Sequence, residues 1–304
     1  MGDKIKITAI VGPTASGKSG LALELARREG GCIVSCDSMQ IYRGMDIGTA
    51  KPTAEEMREI PHRMIDIVDP DEDFTLADFV ARANAEITEI AGKGSPVILC
   101  GGTGLYLDTL LRGGGLAPDV PDSAFDGLDK LDVDALHAEL ERADPDSAAA
   151  IHKNNRRRVE RAIAIFRATG VTKSEWDRRS READPPYDAR IIGLDYRDRE
   201  TLYRRIDRRV DEMFDSGLVD EVRRVMPRRD STAGQAIGYK EILDAFDGLC
   251  TIDEARDRIK QATRNYAKRQ LTWFRRNKAI FWIYPDGEPD LASIVEKAER
   301  YISL

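Results

Sequence analysis

A phosphate-binding loop near the N-terminus constrains the fold of this chain more than any other feature. Residues Gly12–Ser19 read GPTASGKS, which matches the pattern GxxxxGK[ST]. A short, apolar, β-branched run (Ile5–Val11) precedes it, and a helical pattern follows from about Lys18 to Arg28. A chance match somewhere in a chain of 304 residues is on the order of 1%. The strand–loop–helix context therefore predicts a phosphate site at the end of a buried parallel strand.

The residue types of this loop explain how it could bind a diphosphate or triphosphate. Its glycines let backbone N–H groups point inward at phosphate oxygens, and the N-terminus of the following helix adds positive potential. Lys18 supplies a mobile cation, and Ser19 can place its hydroxyl on Mg²⁺. The predicted diphosphate- or nucleotide-binding residues are Gly12, Pro13, Thr14, Ala15, Ser16, Gly17, Lys18 and Ser19. The loop alone does not reveal which group is transferred.

Strands alternate with helices through the N-terminal part of the chain. Strand patterns occur at Cys32–Cys36, His62–Val68 and Val97–Cys100, and apolar residues recur at helical spacing from Thr75 to Lys93. This alternation is typical of a doubly wound α/β sheet. We therefore predict a P-loop NTPase-like parallel sheet with flanking helices.

Two breaks interrupt this pattern and indicate a mostly helical insertion. Gly113-Gly114-Gly115 is followed by Pro118 and Pro121, and Pro185-Pro186 breaks the chain again downstream. Residues 122–182 are helical and charged, with no convincing strand, before a strand pattern resumes at Ile191–Leu194. The predicted division is a first part of the core at 1–115, an insertion at 116–189 and a second, mostly helical part of the core at 190–304.

The C-terminal part of the chain ends with one long helix and a late strand. Thr251 and Glu254 have capping-box spacing, which predicts a helix that runs to about Arg276. Ile280–Tyr284 has the pattern of a strand that rejoins the sheet.

Composition limits the classes of protein and partner. The chain has no apolar run long enough to span a membrane, and its four cysteines and three histidines show no zinc-ligand spacing. These features favour the reducing cytoplasm, and the expected state is a monomer. The net charge of −7 argues weakly against a nucleic-acid partner, but the arginines and lysines are clustered, and an acidic average can hide a basic groove.

A second set of motifs follows the P-loop, and two of them, the block that begins at Asp37-Ser38 and the block Gly101–Tyr106, are far more specific than the P-loop. Together with the P-loop, these motifs resemble those of the tRNA dimethylallyltransferases, also called tRNA isopentenyltransferases, and they occur in order along nearly the whole chain. Nothing matches the zinc finger that eukaryotic members can add, which indicates the bacterial type. The matching blocks are Asp37–Pro52, Pro61–Asp66, Gly101–Tyr106, Asn154–Ala162, Gln235–Glu241 and Tyr266–Arg275.

The resemblance implies a reaction and its participants. Such enzymes transfer a dimethylallyl group from dimethylallyl diphosphate to N6 of the adenosine just 3′ of the anticodon in tRNA. Mg²⁺ is expected to neutralise the diphosphate, and nucleotide binding, ATP included, is associated with the P-loop although the transfer needs no ATP as energy source. By resemblance, Asp37, Thr14 and Arg209 are the catalytic residues. Arg205 and Arg209 are four residues apart on a predicted helix and therefore share a face, although a surface ion pair is an equal alternative for Arg205.

The resemblance also implies which residues contact tRNA. Phe125 departs from the family, since some relatives have a basic residue near that position, and the Trp273-Phe274 pair is expected to be core packing. The residues predicted to bind tRNA are Asp37, Ser38, Met39, Gln40, Thr103, Arg157, Arg158, Val159, Glu160 and Arg161.

Asp37 has two interpretations from the residues themselves. It follows a strand beside the P-loop, where open α/β sheets place their ligands. The amino group of adenine is a poor nucleophile that must lose a proton as the new C–N bond forms, and a carboxylate within hydrogen-bond reach is a suitable base. The alternative is that Asp37 caps a turn or orders water on Mg²⁺. The resemblance favours the base.

Three other functions share parts of this sequence pattern. An enzyme that prenylates free AMP, ADP or ATP would not need the arginine cluster of the insertion. A P-loop small-molecule kinase would not need the Asp37–Gln40 block beside Gly101–Gly104. A GTPase-like RNA-binding switch would carry an NKxD-type motif, and none is present.

Overall fold

The computed structural model describes residues 4–113 and 117–303. The chain divides into two compact units. One contains the chain up to Leu110 and from Tyr187 onward, and the other is Leu111–Pro186. Of the predicted breaks, Gly114 and Gly115 lie outside the described residues.

The first unit is built on a six-stranded sheet in which all neighbouring strands are parallel, as predicted. The spatial order is β3-β2-β4-β1-β5-β6. The strands are β1 (Ile5–Val11), β2 (Cys32–Ser35), β3 (His62–Arg63), β4 (Val97–Gly101), β5 (Tyr187–Leu194) and β6 (Phe281–Ile283).

The register of the central strands determines where a ligand can bind. Val11, the last residue of β1, pairs with Gly101 at the end of β4 and with Gly193 near the end of β5. Because parallel strands end at the same edge of a sheet, the loops that follow β1, β2, β4 and β5 converge there. β1 is buried on both faces from Ile7 to Val11, which explains its continuous apolar run.

Helices cover both faces of the sheet, and their caps agree with the sequence. Thr75 and Thr251 each form a capping box, with Asp78 and Glu254 respectively. The helices of this part of the chain are α1 (Lys18–Glu29), α2 (Ala54–Glu59), α3 (Leu76–Gly92), α4 (Gly104–Arg112), α9 (Arg199–Asp215), α10 (Leu218–Val225), α11 (Tyr239–Phe246), α12 (Ile252–Phe274) and α13 (Leu291–Ile302). None of the helices in the described residues is long and apolar enough to cross a membrane.

One predicted strand is shorter than expected. The pattern at His62–Val68 continues as a strand only to Arg63, and Met64 and Asp66 have left-handed backbones with φ of 64° and 54°. The Asp66 carboxylate accepts from the buried Lys51 ammonium, which also donates to the Tyr42 carbonyl. The left-handed residues end the strand, which strand propensity does not anticipate, and the Lys51–Asp66 ion pair lies at this turn.

The second unit is helical. Its helices are α5 (Val133–Ala143), α6 (Pro145–Ala150), α7 (Arg156–Thr169) and α8 (Lys173–Glu182), preceded by a 3₁₀ turn at Asp122–Phe125. Leu136, Leu140 and Ile163 are central to its core, and Phe125 packs against that core.

The sequence predicts that the insertion ends at residue 189, whereas the second unit ends three residues earlier, at Pro186. Tyr187 pairs with Ile5, so residues 187–189 belong to β5 and to the first unit. The hydroxyl of Tyr187 donates to Asn84 at 2.5 Å, which fixes the start of the strand. Polar residues at Asp188 and Arg190 hide this strand start from a search for apolar runs.

Candidate active site

A cavity of about 320 Å³ lies in the first unit, where the strand ends converge. Its charged part includes Lys18 of the P-loop, Asp37 after β2 and Arg209 of α9. Its apolar part includes Val210, Met213, Leu218 and Ile259. Three of the predicted diphosphate-binding residues (Thr14, Lys18, Ser19) line the cavity, together with Asp37, Ser38, Met39 and Gln40.

The P-loop has the backbone that its glycines permit. Gly12 has φ of 153°, and an added Cβ would lie 2.6 Å from the Leu194 carbonyl oxygen. Gly17, with φ of 94°, is the N-cap of α1. The hydroxyl of Ser16 is buried with no hydrogen-bond partner among the described residues. A buried polar atom without a partner is costly, and this one lies in the loop that the sequence predicts to bind phosphate.

Two cations meet the cavity without carboxylate hydrogen bonds. Among the residues that the structure describes, the Lys18 ammonium donates only to the Pro13 carbonyl, at 3.3 Å. Burial lowers the pKa of Lys18, an effect that the nearby Asp37 opposes. Burial also lowers the pKa of the Arg209 guanidinium, and Asp37 again opposes the shift. Asp37 therefore stabilises the charged forms of both side chains.

Hydrogen bonds fix Asp37 and its loop. Asp37 Oδ1 accepts from the Met39 N–H at 2.9 Å. The next amide, Ser38 N–H, donates to Thr103 Oγ1 at 3.1 Å, and the Thr103 N–H donates to the Cys36 carbonyl at 3.3 Å. The loops after β2 and β4 are thus joined, and the second oxygen of Asp37 has no hydrogen-bond partner among the residues that the structure describes.

Neighbouring groups make this part of the cavity poorly solvated. Burial raises the pKa of the Cys100 thiol to about 11 and that of the Tyr266 hydroxyl to about 12, and Asp37 adds to both shifts. Cys100 and Tyr266 are therefore neutral near pH 7. Electrostatic interactions are stronger in such an environment than in water.

Arg205 and Gln270 both form hydrogen bonds with the P-loop. The sequence predicts no role for Gln270 and leaves two interpretations open for Arg205. Arg205 Nε donates to the Ala15 carbonyl at 2.9 Å, and Arg205 forms no ion pair with the described residues. Gln270 accepts from the Thr14 N–H at 2.9 Å. Its presence in the Tyr266–Arg275 block was the only signal in the sequence.

Glu221 holds another wall of the cavity, and no sequence motif indicated it. Its carboxylate is 1% exposed and accepts from the N–H groups of three consecutive residues, Asp46, Ile47 and Gly48, at 2.7–2.9 Å. The Tyr239 hydroxyl also donates to it, at 2.5 Å. Gly48 and the two residues after it, Thr49 and Ala50, line the cavity.

Gln40 has a structural role beside its predicted contact with tRNA. Its amide accepts from the Ser35 hydroxyl at 2.9 Å and donates to the Ala50 carbonyl at 3.2 Å. Both ends of the side chain are therefore already paired, although Gln40 lines the cavity.

The arginine cluster of the second unit lies at the start of α7. Arg157 and Arg158 are exposed and make no ion pair with the described residues, and Arg161 lies 3.8 Å from Asp119. The first turn of α7 has no acidic residue, so these arginines add to the positive end of the helix dipole. Such a surface suits a polyanion.

One member of this block differs from expectation, and another forms an ion pair within the second unit. The side chain of Val159 is fully buried in the core of the second unit, so the prediction that it contacts RNA is wrong for that side chain. Helical periodicity points position 159 inward while 157 and 158 point outward. Glu160 pairs with Arg156 at 2.7 Å, and Arg156 also donates to the Leu128 and Leu131 carbonyls.

The donor set fits Mg²⁺ bound through a substrate rather than by a protein cage. Within 4–113 and 117–303, no group of three or more His, Cys, Asp or Glu side chains could hold a metal ion. Mg²⁺ commonly keeps water ligands and binds through substrate phosphates with few protein oxygens. The Ser19 hydroxyl at the cavity is an oxygen of that kind.

The fold and this site define a P-loop protein of the α/β class in which two cations and a carboxylate line one cavity. A family model described as IPP transferase matches residues 40–277. The tRNA dimethylallyltransferase of Geobacter sulfurreducens is 47% identical over 97% of this chain and 97% of its own length. That of Bacillus subtilis is 44% identical over 99% of this chain and 97% of its own. The chain belongs to the IPP transferase family, which confirms the resemblance seen in the sequence.

Solved structures agree with this assignment. The full-length tRNA isopentenylpyrophosphate transferase of Bacillus halodurans is 44% identical, with 99% of this chain and 97% of that chain covered and a TM-score of 0.73. A eukaryotic dimethylallyltransferase acting on tRNA is 28% identical, with 98% of this chain and 80% of that chain covered and a TM-score of 0.86.

Proposed function

We propose that this chain transfers a dimethylallyl group from dimethylallyl diphosphate to N6 of the adenosine 3′-adjacent to the anticodon in tRNA. The products are N6-isopentenyladenosine in tRNA and diphosphate. One observation carries the proposal: a single cavity combines the P-loop lysine, the Arg209 guanidinium and the Asp37 carboxylate, and within 4–113 and 117–303 neither cation has an ion pair and one Asp37 oxygen has no hydrogen-bond partner. A tRNA substrate also favours the cytoplasm as the compartment.

The cation side of the cavity suits the donor. Lys18, Arg209 and the P-loop N–H groups would bind the diphosphate, and Thr14 would assist them. As the allylic C–O bond breaks, its electron pair passes to the diphosphate oxygen, and preorganised cations and dipoles stabilise that charge. Mg²⁺, held by diphosphate oxygens and Ser19, would supply further charge neutralisation when bound.

The carboxylate side suits the acceptor. The adenine amino nitrogen forms the new C–N bond and loses one proton, and the free oxygen of Asp37 is the proposed acceptor of that proton. The target base would have to leave its stack to reach the cavity, as in other base-modifying enzymes. Ser38, Met39, Gln40 and Thr103 are the proposed base-side contacts.

The exposed arginines of α7 suit the RNA backbone. Arg157, Arg158 and Arg161 would contact phosphates, which set the register of a nucleic acid without specifying its sequence. Such contacts would make binding depend on salt.

Incubation with labelled dimethylallyl diphosphate tests the proposal. Label should pass to tRNA and be recovered as isopentenyladenosine after nuclease digestion, and free AMP should receive none. Label on AMP instead would support a nucleotide prenyltransferase. Transfer of a phosphoryl group from ATP, with no prenyl transfer, would support a small-molecule kinase.

A further inference from the structure

The side-chain amide of Gln270 joins two loops of the cavity that are far apart in sequence. Its Oε1 accepts from the Thr14 N–H at 2.9 Å, and its Nε2 donates to the Gly102 carbonyl at 2.9 Å. The partners fix the orientation of the amide, because an N–H can only donate and a carbonyl can only accept. One amide therefore spans the donor loop and the loop after β4.

The amide is buried and packed closely against Gly102. Gln270 is only 5% exposed, so water has little access to compete for either hydrogen bond. An added Cβ on Gly102 would lie 2.2 Å from Gln270 Nε2, which is closer than side chains can approach. Arg205 holds the adjacent Ala15 carbonyl, so the outer half of the P-loop is tied at two consecutive residues.

The second loop leads directly to the proposed base. Gly102 is followed by Thr103, whose N–H donates to the Cys36 carbonyl and whose hydroxyl accepts from the Ser38 N–H. These two bonds flank Asp37 on both sides. A displacement of Gly102 would therefore move the backbone that carries Asp37 relative to the P-loop.

We infer that Gln270 is a positioning residue that sets the distance between the diphosphate cradle and the loop carrying the proton acceptor. The inference rests on the proposed function for its meaning in the reaction. Gln270 does not itself touch reacting atoms in this account. It acts through Thr14 on the donor side and through Gly102 on the acceptor side, and a misplacement of about 1 Å between reacting groups can cost about 10²-fold in rate.

Two substitutions at this position separate positioning from general packing. Gln270→Met keeps the length of the side chain and removes both hydrogen bonds, so kcat/KM should fall about 10²-fold at every pH. Gln270→Glu retains an acceptor for Thr14, but when ionised it offers no proton to Gly102. When protonated, it can again both accept and donate, so its activity relative to wild type should recover as the pH falls.

The pH comparison depends on the charged groups around this side chain. Lys18, Asp37 and Arg209 line the same cavity, as do Tyr266 and Arg269 from α12. All of these groups are present in wild type and in both variants, but the side chain of Gln270 itself acts on the pKa of Tyr266, so either substitution alters the titration of that hydroxyl. Gln270→Met removes the same influence without adding a charge, so a pH dependence that Gln270→Glu shows and Gln270→Met lacks reports the carboxyl at position 270, whose ionisation burial disfavours.

Gln261→Glu is the matched control. Gln261 is exposed on the same helix, so the same change there should leave the activity ratio flat with pH. Binding of inorganic diphosphate, measured by calorimetry, makes the test independent of the transfer assay, and Gln270→Met should weaken it roughly tenfold.

Two results would overturn the inference. One is a Gln270→Met variant with wild-type transfer and wild-type diphosphate affinity. The other is a folded Gln270→Glu variant whose activity ratio stays as low as that of Gln270→Met at acidic pH. A wild-type chain that binds diphosphate but transfers no prenyl group would contradict the proposed function alone, while the diphosphate affinities would still decide the role of Gln270.

Discussion

Replacing Asp37 by Asn tests the centre of the proposed mechanism with little structural change. Asn can still accept the Met39 N–H through its own Oδ1, so the 2.9 Å bond that orients the side chain is retained. The free oxygen becomes an NH₂ group, which cannot accept a proton. The change therefore removes the proposed base and leaves its position intact.

The expected defect is large and confined to the chemical step. Loss of a general base should lower kcat by roughly 10²–10⁴, which corresponds to about 3–5 kcal/mol of activation free energy. The KM for dimethylallyl diphosphate should not rise, because Asp37 offsets the positive charge of Lys18 and Arg209 at the same cavity. Less negative charge there favours an anionic donor.

The assay is the single-turnover rate with saturating tRNA and donor across a Mg²⁺ series. Asp188→Asn is the control. Asp188 is exposed near the start of β5, far from the carboxyl ends of the strands where the cavity lies, so its rate should match wild type. If Asp37 only orders water on Mg²⁺, high Mg²⁺ should restore the rate of Asp37→Asn. Full restoration, or a defect below about tenfold, would refute the general-base role.

Three further predictions concern binding and stability. Because burial lowers the pKa of Lys18, the ammonium is lost at a lower pH than usual, so kcat/KM for the donor should fall on the alkaline side below the ordinary lysine range, and Lys18→Arg should move that fall to higher pH. Changing Arg157 and Arg158 together to Ala should raise the Kd for tRNA and reduce the slope of log Kd against log salt by about 2, with no change in donor KM; an unchanged slope would contradict the assignment. Glu221→Ala should leave three N–H groups and a hydroxyl unpaired and lower the free energy of unfolding by about 3 kcal/mol or more in denaturant titration, whereas Tyr239→Phe, which removes one of the four donors, should cost about 1–2 kcal/mol; equal costs would contradict this account.

The sequence allowed the P-loop and the sheet edge to be predicted because both depend on local order. Gly12 and Lys18 have fixed spacing within the P-loop. Asp37 follows a buried strand, which places it at the same edge of the sheet as the P-loop. The parallel alternation of strands and helices then determines the fold class. Local patterns of this kind need no knowledge of distant contacts.

Other parts of the site depend on contacts between distant residues, and these could not be predicted. Thr14 and Gln270 are separated by 256 positions, and no periodicity links them. The pattern at His62–Val68 predicts a strand, but the strand ends early, where the chain turns at Met64 and Asp66 and Asp66 pairs with Lys51. The family motif assigns Val159 to the tRNA-binding residues together with its neighbours, although its position on the helix directs its side chain into the core of the second unit.

The Glu221 carboxylate has a consequence for how the protein is made. It satisfies the amides of Asp46, Ile47 and Gly48, which precede it by 173–175 positions. During translation, this cavity wall emerges from the ribosome long before Glu221, the residue that binds its amides. The second edge of β1 likewise stays uncovered until β5, which begins at Tyr187, has been synthesised. A nascent chain stalled before α10 would therefore expose the wall with its backbone donors unpaired, so the catalytic half of the molecule can reach its final form only late in synthesis.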